Sequence, residues 1–136
     1  MAAYRQTVKL EPNDADYWCS MAGLAKEVGR MDDAIEALQK AVKLTPNDAN
    51  LRGVLAWQYA SRAQTYSKSG FRRGAIEALA EAVKLKPDDA DLWDMLATAY
   101  ALDKQIGRAR ACISELKKLD AGKAQELESI LKPFEQ

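Results

Sequence analysis

The sequence predicts an all-α solenoid of stacked helical hairpins, and three observations predict it. The first is repetition. Ala-Val-Lys-Leu-Thr-Pro-Asn-Asp at 41–48 recurs as Ala-Val-Lys-Leu-Lys-Pro-Asp-Asp at 82–89, and Thr-Val-Lys-Leu-Glu-Pro-Asn-Asp occupies 7–14. The second is spacing. Pro12, Pro46 and Pro87 are separated by 34 and then 41 residues, the length of one supersecondary unit whose apolar face is buried on the next copy. The third is composition. Of 136 residues, 48% are hydrophobic and 29% charged, a globular balance. Alanine, leucine, lysine and glutamate dominate without β-branched runs, which favours helix throughout.

The elements follow in order. Ala3–Pro12 aligns with Ala37–Pro46, the second helix of a hairpin, without a first helix before it. The expectation is a chain that begins in mid-repeat. Asn13 and Asp14 then stand where an N-cap belongs. Trp18, Met21, Ala22 and Ala25 recur at three- and four-residue spacing, one face of a helix. Gly29 breaks that helix. Asp32 or Asp33 is expected to cap the next, whose apolar face is Ala34, Leu38, Ala41, Val42 and Leu44. Pro46 ends it, because the residue before a proline leaves helical space.

The middle repeat is seven residues too long, and it can be counted in two registers. Leu55, Ala56 and Tyr59 fit the pattern from Ala49. Tyr59, Ala63 and Tyr66 fit it backward from Gly70 and Ala75. An inserted heptad keeps the same face inward with only about 20° of drift. One helix over 49–68, about two turns longer than its neighbours, is therefore favoured over a normal helix followed by a loop near 63–69. Ala60, Ala63 and Tyr66 continue the apolar stripe, and no Gly or Pro intervenes. The next hairpin carries Trp93, Leu96, Ala97, Tyr100, Ala109, Ile113 and Leu116 at the same intervals. Ala121 stands in for the closing proline, and Gly122 is expected to end the helix. Lys123–Leu131, with Leu127, Ile130 and Leu131, reads as a terminal cap.

These residues resemble the tetratricopeptide repeat family. Trp18, Met21, Ala22, Ala25, Ala34, Leu38, Ala41 and Pro46 fall on its consensus places, with Met21-Ala22 where the family has Leu-Gly and Ala25 where it has Tyr. The resemblance implies a right-handed helical-hairpin solenoid of about eight antiparallel helices, with an extended first helix in the middle repeat. The division it implies is an orphan second helix over 1–12, repeat one over 13–46, an elongated repeat two over 47–87, repeat three over 88–121 and a capping helix over 122–136.

Chemistry is not expected. The 20 basic and 20 acidic residues cancel and there is no histidine, so no base is at hand for a nucleophilic cysteine. Cys19 and Cys112 are read as small packing residues, too few for a zinc site, and no cofactor is expected. Asp32-Asp33 and Asp88-Asp89 read as caps and turns. Gly70 and Gly74 lack the spacing and the Lys-Ser ending of a phosphate loop. Zero net charge disfavours nucleic acid. No apolar stretch approaches the ~20 residues of a membrane span. Met1–Arg5 lacks a signal-peptide core, which leaves a cytoplasmic compartment as the default.

The family resemblance implies a concave groove lined by first helices, which binds a peptide or protein segment. The positions it assigns are Asp16, Cys19, Gly23, Lys26 and Glu27, then Asn50, Gly53, Trp57, Ala60, Ser61 and Gln64, then Asp91, Asp94, Thr98 and Ala101. Gly23 and Gly53 each cost about 1 kcal/mol against alanine inside a helix. Either a closely approaching partner or crowding between helices would account for them. Trp57 is a candidate anchor. Cochaperones of this family grip a C-terminal carboxylate with lysine, asparagine and arginine. Cys19 and Gly23 cannot do so, and Asp91 and Asp94 would repel it.

Charge is uneven. The segment 49–76 carries Arg52, Arg62, Lys68, Arg72 and Arg73 with no acid, beside a first repeat with a balance of four negative charges. Arg62, Lys68, Arg72 and Arg73 are read as a basic lobe for an acidic partner segment. The leading expectation is an adaptor for a protein or peptide partner. The alternative is a homo-oligomer assembled through terminal helices and oppositely charged lobes.

Overall fold

The computed structural model describes residues 14–135. The orphan helix expected over 1–12 lies outside the described residues. Seven α-helices follow one another: α1 Ala15–Glu27, α2 Met31–Leu44, α3 Ala49–Lys68, α4 Arg72–Leu85, α5 Ala90–Leu102, α6 Ile106–Leu119 and α7 Ala121–Leu131, with a 3-10 turn Lys132–Glu135 after them. No strand occurs among the described residues. The second helices α2, α4 and α6 are each 14 residues long. The first helices α1 and α5 have 13 residues and α3 has 20. The additional heptad is therefore helical, as the unbroken stripe requires.

Both ends of α3 obey the same local chemistry as its shorter counterparts. At the start, the Leu51 amide donates to Asp48 Oδ1 at 3.1 Å. The Asp16 amide donates to Asp14 Oδ1 at 2.9 Å, and the Asp91 amide to Asp89 Oδ1 at 3.0 Å. Each carboxylate satisfies a donor that the first turn leaves without a partner. At the end, Gly70 adopts φ 80, matching Gly29 at 78 and Lys104 at 62. The amides that follow close each helix by donating back five residues: Arg30 to the Ala25 carbonyl, Phe71 to Tyr66 and Gln105 to Tyr100. This closing bond requires a left-handed residue, which glycine adopts without strain.

The chain divides into two compact units, one ending at Gln58 and the other beginning at Tyr59. In the first, α1 packs on α2. Trp18, Met21, Ala22 and Ala25 meet a face of Ala34, Ile35, Ala37, Leu38 and Ala41, all buried. The small residues let the two backbones approach. Lys40 Nζ lies 4.4 Å from the centre of the Trp18 ring, a cation–π contact that covers the tryptophan at the hairpin edge.

In the second unit α4 packs on α5, α5 on α6 and α6 on α7, and α7 also reaches α5. Its core is built from Ala75, Ile76, Leu79, Ala82 and Val83 of α4, Leu92, Leu96 and Ala97 of α5, Ala109, Cys112, Ile113 and Leu116 of α6, and Ala124 and Leu131 of α7. Trp93 is tied down by its indole N–H, which donates to the Pro87 carbonyl at 2.8 Å. The Tyr66 and Phe71 rings meet edge to face with centroids 5.1 Å apart, and they pack over Gly74. A Cβ there would stand 2.5 Å from the Phe71 ring.

Three expectations are corrected. Neither Asp32 nor Asp33 caps α2. Arg30 holds the N-cap position without a side-chain bond, and both acids sit in the first turn, where they suit the helix dipole. Gly122 does not end α6. Asp120 does, with an extended backbone at φ −153, and its Oδ1 accepts from the Lys123 amide at 3.2 Å to start α7. One aspartate thus ends one helix and starts the next, which leaves Gly122 inside the first turn. Ile130, expected on the covering face of α7, is 60% exposed, whereas Ala124 and Leu131 are buried.

Candidate functional site

Each first helix buries the face that meets its hairpin partner and leaves another in solvent. On α3 the exposed positions include Asn50, Val54, Trp57, Ser61, Gln64 and Lys68, which alternate four and three residues apart as a line along the helix. On α1 the line is Asp16, Ser20, Gly23 and Glu27, and on α5 it is Asp91, Thr98 and Leu102, with Met95 half-buried between them. The same periodicity that builds the core therefore also fixes the free surface.

In the first unit Asp16, Gly23, Lys26, Glu27 and Asn50 are exposed, Cys19 and Gly53 half-buried, and Trp57 is 57% exposed. A Cβ added at Gly23 would meet no described atom within 4 Å, so crowding by the described helices does not explain that glycine. Burial pushes the Cys19 thiol up, and Asp16 and Asp48 reinforce the shift. It is held in its neutral, weakly nucleophilic form.

In the second unit the structure gathers Gln64, Lys68, Asp94 and Thr98 around one cleft of about 500 Å³. The end of α3 supplies Ala63, Gln64, Ser67 and Lys68, while α5 supplies Asp94, Met95, Thr98, Ala99 and Leu102, and Leu79 of α4 also lines it. Ala63, Ser67, Leu79, Met95, Ala99 and Leu102 are new to the site. Two of them, Met95 and Leu102, were legible as members of the α5 line that contains Asp91 and Thr98. Burial pushes the Asp94 carboxyl above the ordinary range. Lys123 opposes that shift, and Asp91, Glu126 and Asp120 reinforce it. Asp91 is not a free acid, because it binds the Lys123 ammonium of α7, and that bond raises the lysine.

Two sequence assignments change. Ala60 is only 1% exposed and offers nothing to a partner. It lies on the inward stripe with Ala63, three residues on. Nor do the cations assigned to the basic lobe line one cleft. Lys68 lines the α3–α5 cleft, whereas Arg62 lines a second cleft with Tyr59, Tyr66, Phe71, Glu77 and Glu81. Six residues on a helix turn a side chain about 120° away from its predecessor. Arg72 and Arg73 are exposed at the start of α4.

No cluster of three or more potential metal ligands occurs among the described residues, and no helix there is long and apolar enough to cross a membrane.

Comparison with known proteins places this geometry. Two of the solved structures that resemble the chain with a TM-score just above one half show the likeness. One is the APC/C hetero-tetramer Cut9–Hcn1, at TM-score 0.52 and 22% identity over 91% of this chain and 24% of that one. The other is a double mutant of MamA RS-1, at 0.51 and 18% over 90% and 65%. TTC0263, a thermophilic TPR protein of Thermus thermophilus, aligns at 0.45 and 20% over 95% and 71%. At such identities the first two likenesses show the fold, a tetratricopeptide solenoid. No curated protein matches the chain significantly. The family model described as the cytochrome c-type biogenesis protein H TPR domain matches residues 1–125. The chain therefore belongs to that family of tetratricopeptide interaction domains.

Proposed function

We propose that the chain holds a peptide segment of a partner protein on the exposed lines of its first helices, and that the partner takes part in cytochrome c-type biogenesis. Family membership supports the context. The observation that carries the binding mode is the α3–α5 cleft. Met95, Ala99 and Leu102 offer carbon surface to an aliphatic side chain. Gln64, Ser67 and Thr98 offer both donors and acceptors to a peptide backbone. Lys68 and Asp94 provide one charge of each sign. Asp94 is already held back from ionising, by burial first and then by its acidic neighbours, so a second carboxylate is disfavoured and an acidic C-terminal tail is a poor ligand.

Under this reading Trp57 is an aromatic anchor farther along the α3 line, and Asp16, Cys19, Gly23, Lys26, Glu27, Asn50 and Gly53 form the corresponding surface of the first unit. Repeats over 13–46, 47–87 and 88–121, followed by a cap, are the division that goes with it. The mechanism is binding without a covalent step, with affinity concentrated in a few anchors.

The test uses peptides selected on the full chain by display. Gln64→Arg and Thr98→Arg should each weaken the selected peptide by about tenfold or more while leaving the melting temperature unchanged. Undiminished affinity in both variants would refute the reading.

A further inference from the structure

The α3–α5 cleft carries opposite charge at its two ends. Residues 69–71 connect α3 to α4, and residues 86–89 connect α4 to α5. Connections this short reverse the chain, so α3 and α5 run parallel. The reversal shows directly at the first connection. Tyr66 meets Phe71 and Gly74, whereas the earlier Arg62 shares a cleft with the later Glu77 and Glu81. Counted back from the left-handed residues Gly70 and Lys104, Lys68 and Leu102 hold the same place. Asp94 stands eight residues before Leu102, about 12 Å along the axis. Lys68 therefore marks one end of the cleft and Asp94 the other.

The surroundings sharpen the contrast. Asp91, Asp120 and Glu126 act on Asp94 with Lys123 opposing them, and Lys123 is already bound to Asp91. That end is net acidic. Lys68 is exposed and makes no ion pair with a described residue, and no acid lies anywhere in segment 49–76. The dipole of α3 suits a lysine in the last turn and leaves its ammonium available to a ligand. Met95, Ala99 and Leu102 line the α5 wall over the same length, and none of them is buried. The separation exceeds a Debye length of about 8 Å at physiological ionic strength, so a ligand meets each end as a separate charge.

Resting on the peptide-binding reading of this cleft, we infer that its ligand is an extended segment with a basic and an acidic residue four positions apart and an aliphatic residue midway between them. An extended chain rises about 3.3 Å per residue, so four residues cover about 13 Å. Alternate side chains point to one face. The base then meets Asp94, the acid meets Lys68, and the central side chain lies on the carbon surface between. An extended segment also keeps free the backbone groups that Gln64 and Ser67 can bond, whereas a helix satisfies its own. Segments of uniform charge place one like charge at an end of the cleft and are rejected.

The probes are capped synthetic peptides with the core Lys-Thr-Leu-Thr-Glu or its reverse, each flanked by serine and glycine. Peptides with lysine at both charged positions, or glutamate at both, are the controls. Calorimetric titration into the full chain at low salt should favour at least one mixed peptide about tenfold or more over both controls, and added salt should narrow the gap. Lys68→Glu should turn the preference toward the dilysine peptide, and Asp94→Lys toward the diglutamate peptide. If Asp94→Lys fails to fold, Asp94→Asn should still erase the advantage of the mixed peptides over the diglutamate one. Equal binding of all four peptides, a preference unchanged by either reversal, or a rise in mass showing that a second copy takes the cleft would each overturn the inference. Display-selected peptides that lose affinity in Gln64→Arg but carry no such charge pair would overturn it while leaving the peptide-binding reading in place. Selected peptides indifferent to both Gln64→Arg and Thr98→Arg would overturn the two together.

Discussion

Helices α3 and α5 are the two walls of one cleft, and they differ by seven residues. Both begin on an aspartate that caps the first turn, and both end on a left-handed residue followed by the same closing bond. Between those fixed ends, α5 presents a short exposed line and α3 a line from Asn50 to Lys68. The difference shows where a solenoid tolerates growth. Insertion of a heptad keeps the packed face in phase and lengthens the free face by two turns, which adds contact surface without redesigning the core. The cost appears in α3 itself. Gln58, at the boundary between the units, is 6% exposed, and its Oε1 has no hydrogen-bond partner among the described residues.

The strongest challenge to this equivalence is the core. Leu55 and Leu96 occupy the same place counted from each helix start and are 2% and 3% exposed. Leu55→Ala and Leu96→Ala should each cost about 2–5 kcal/mol in denaturant unfolding. A negligible cost at Leu55 would mean that α3 does not pack in the register of α5 at its start.

The helix ends give a smaller effect of opposite sign at matched positions. Gly70→Ala should lose about 1–2 kcal/mol, because the left-handed conformation crowds a Cβ against the following carbonyl. Lys104→Gly should gain up to about 1 kcal/mol. Equal effects at the two sites would break the comparison.

What was legible in the sequence was local. The caps at Asp14 and Asp89, the break at Gly29, the buried face of Trp18, Met21, Ala22 and Ala25, and the long helix over 49–68 all follow from spacing within a turn or two. What was not legible depended on residues distant in sequence or on direction around a helix. Asp91 meets Lys123 from 32 residues away, and no periodicity announces that pair. Arg62 and Lys68 are neighbours in a charge count but line different clefts. Ala60 counts in sequence both on the apolar stripe and among the groove positions, and packing decides for the stripe. Asp120 closes α6 because its carboxylate serves the next helix, which made the adjacent glycine a misleading stop.

The smallest expected effect is a pH dependence that separates the two walls, since Asp94 lies on α5 and its cleft neighbours on α3 carry no acid. The folded pKa of Asp94 is raised above 3.8, so the native state binds that proton more tightly than the unfolded chain does. The associated stability is fully present below 3.8 and is lost as pH rises through the folded value. Asp94→Asn should therefore melt about 1–2 °C above the parent at neutral pH, with the gap closing as pH falls through the carboxylate range. A gap that does not vary with pH would assign the effect to packing.

The cleft itself is tested most directly by mapping amide chemical shifts of the isotopically labelled chain as a display-selected peptide is added. The account predicts that the largest perturbations fall on Gln64, Ser67, Lys68, Asp94, Thr98 and Leu102, the two walls together. Perturbations confined to α4 and α6, with those walls silent, would contradict it.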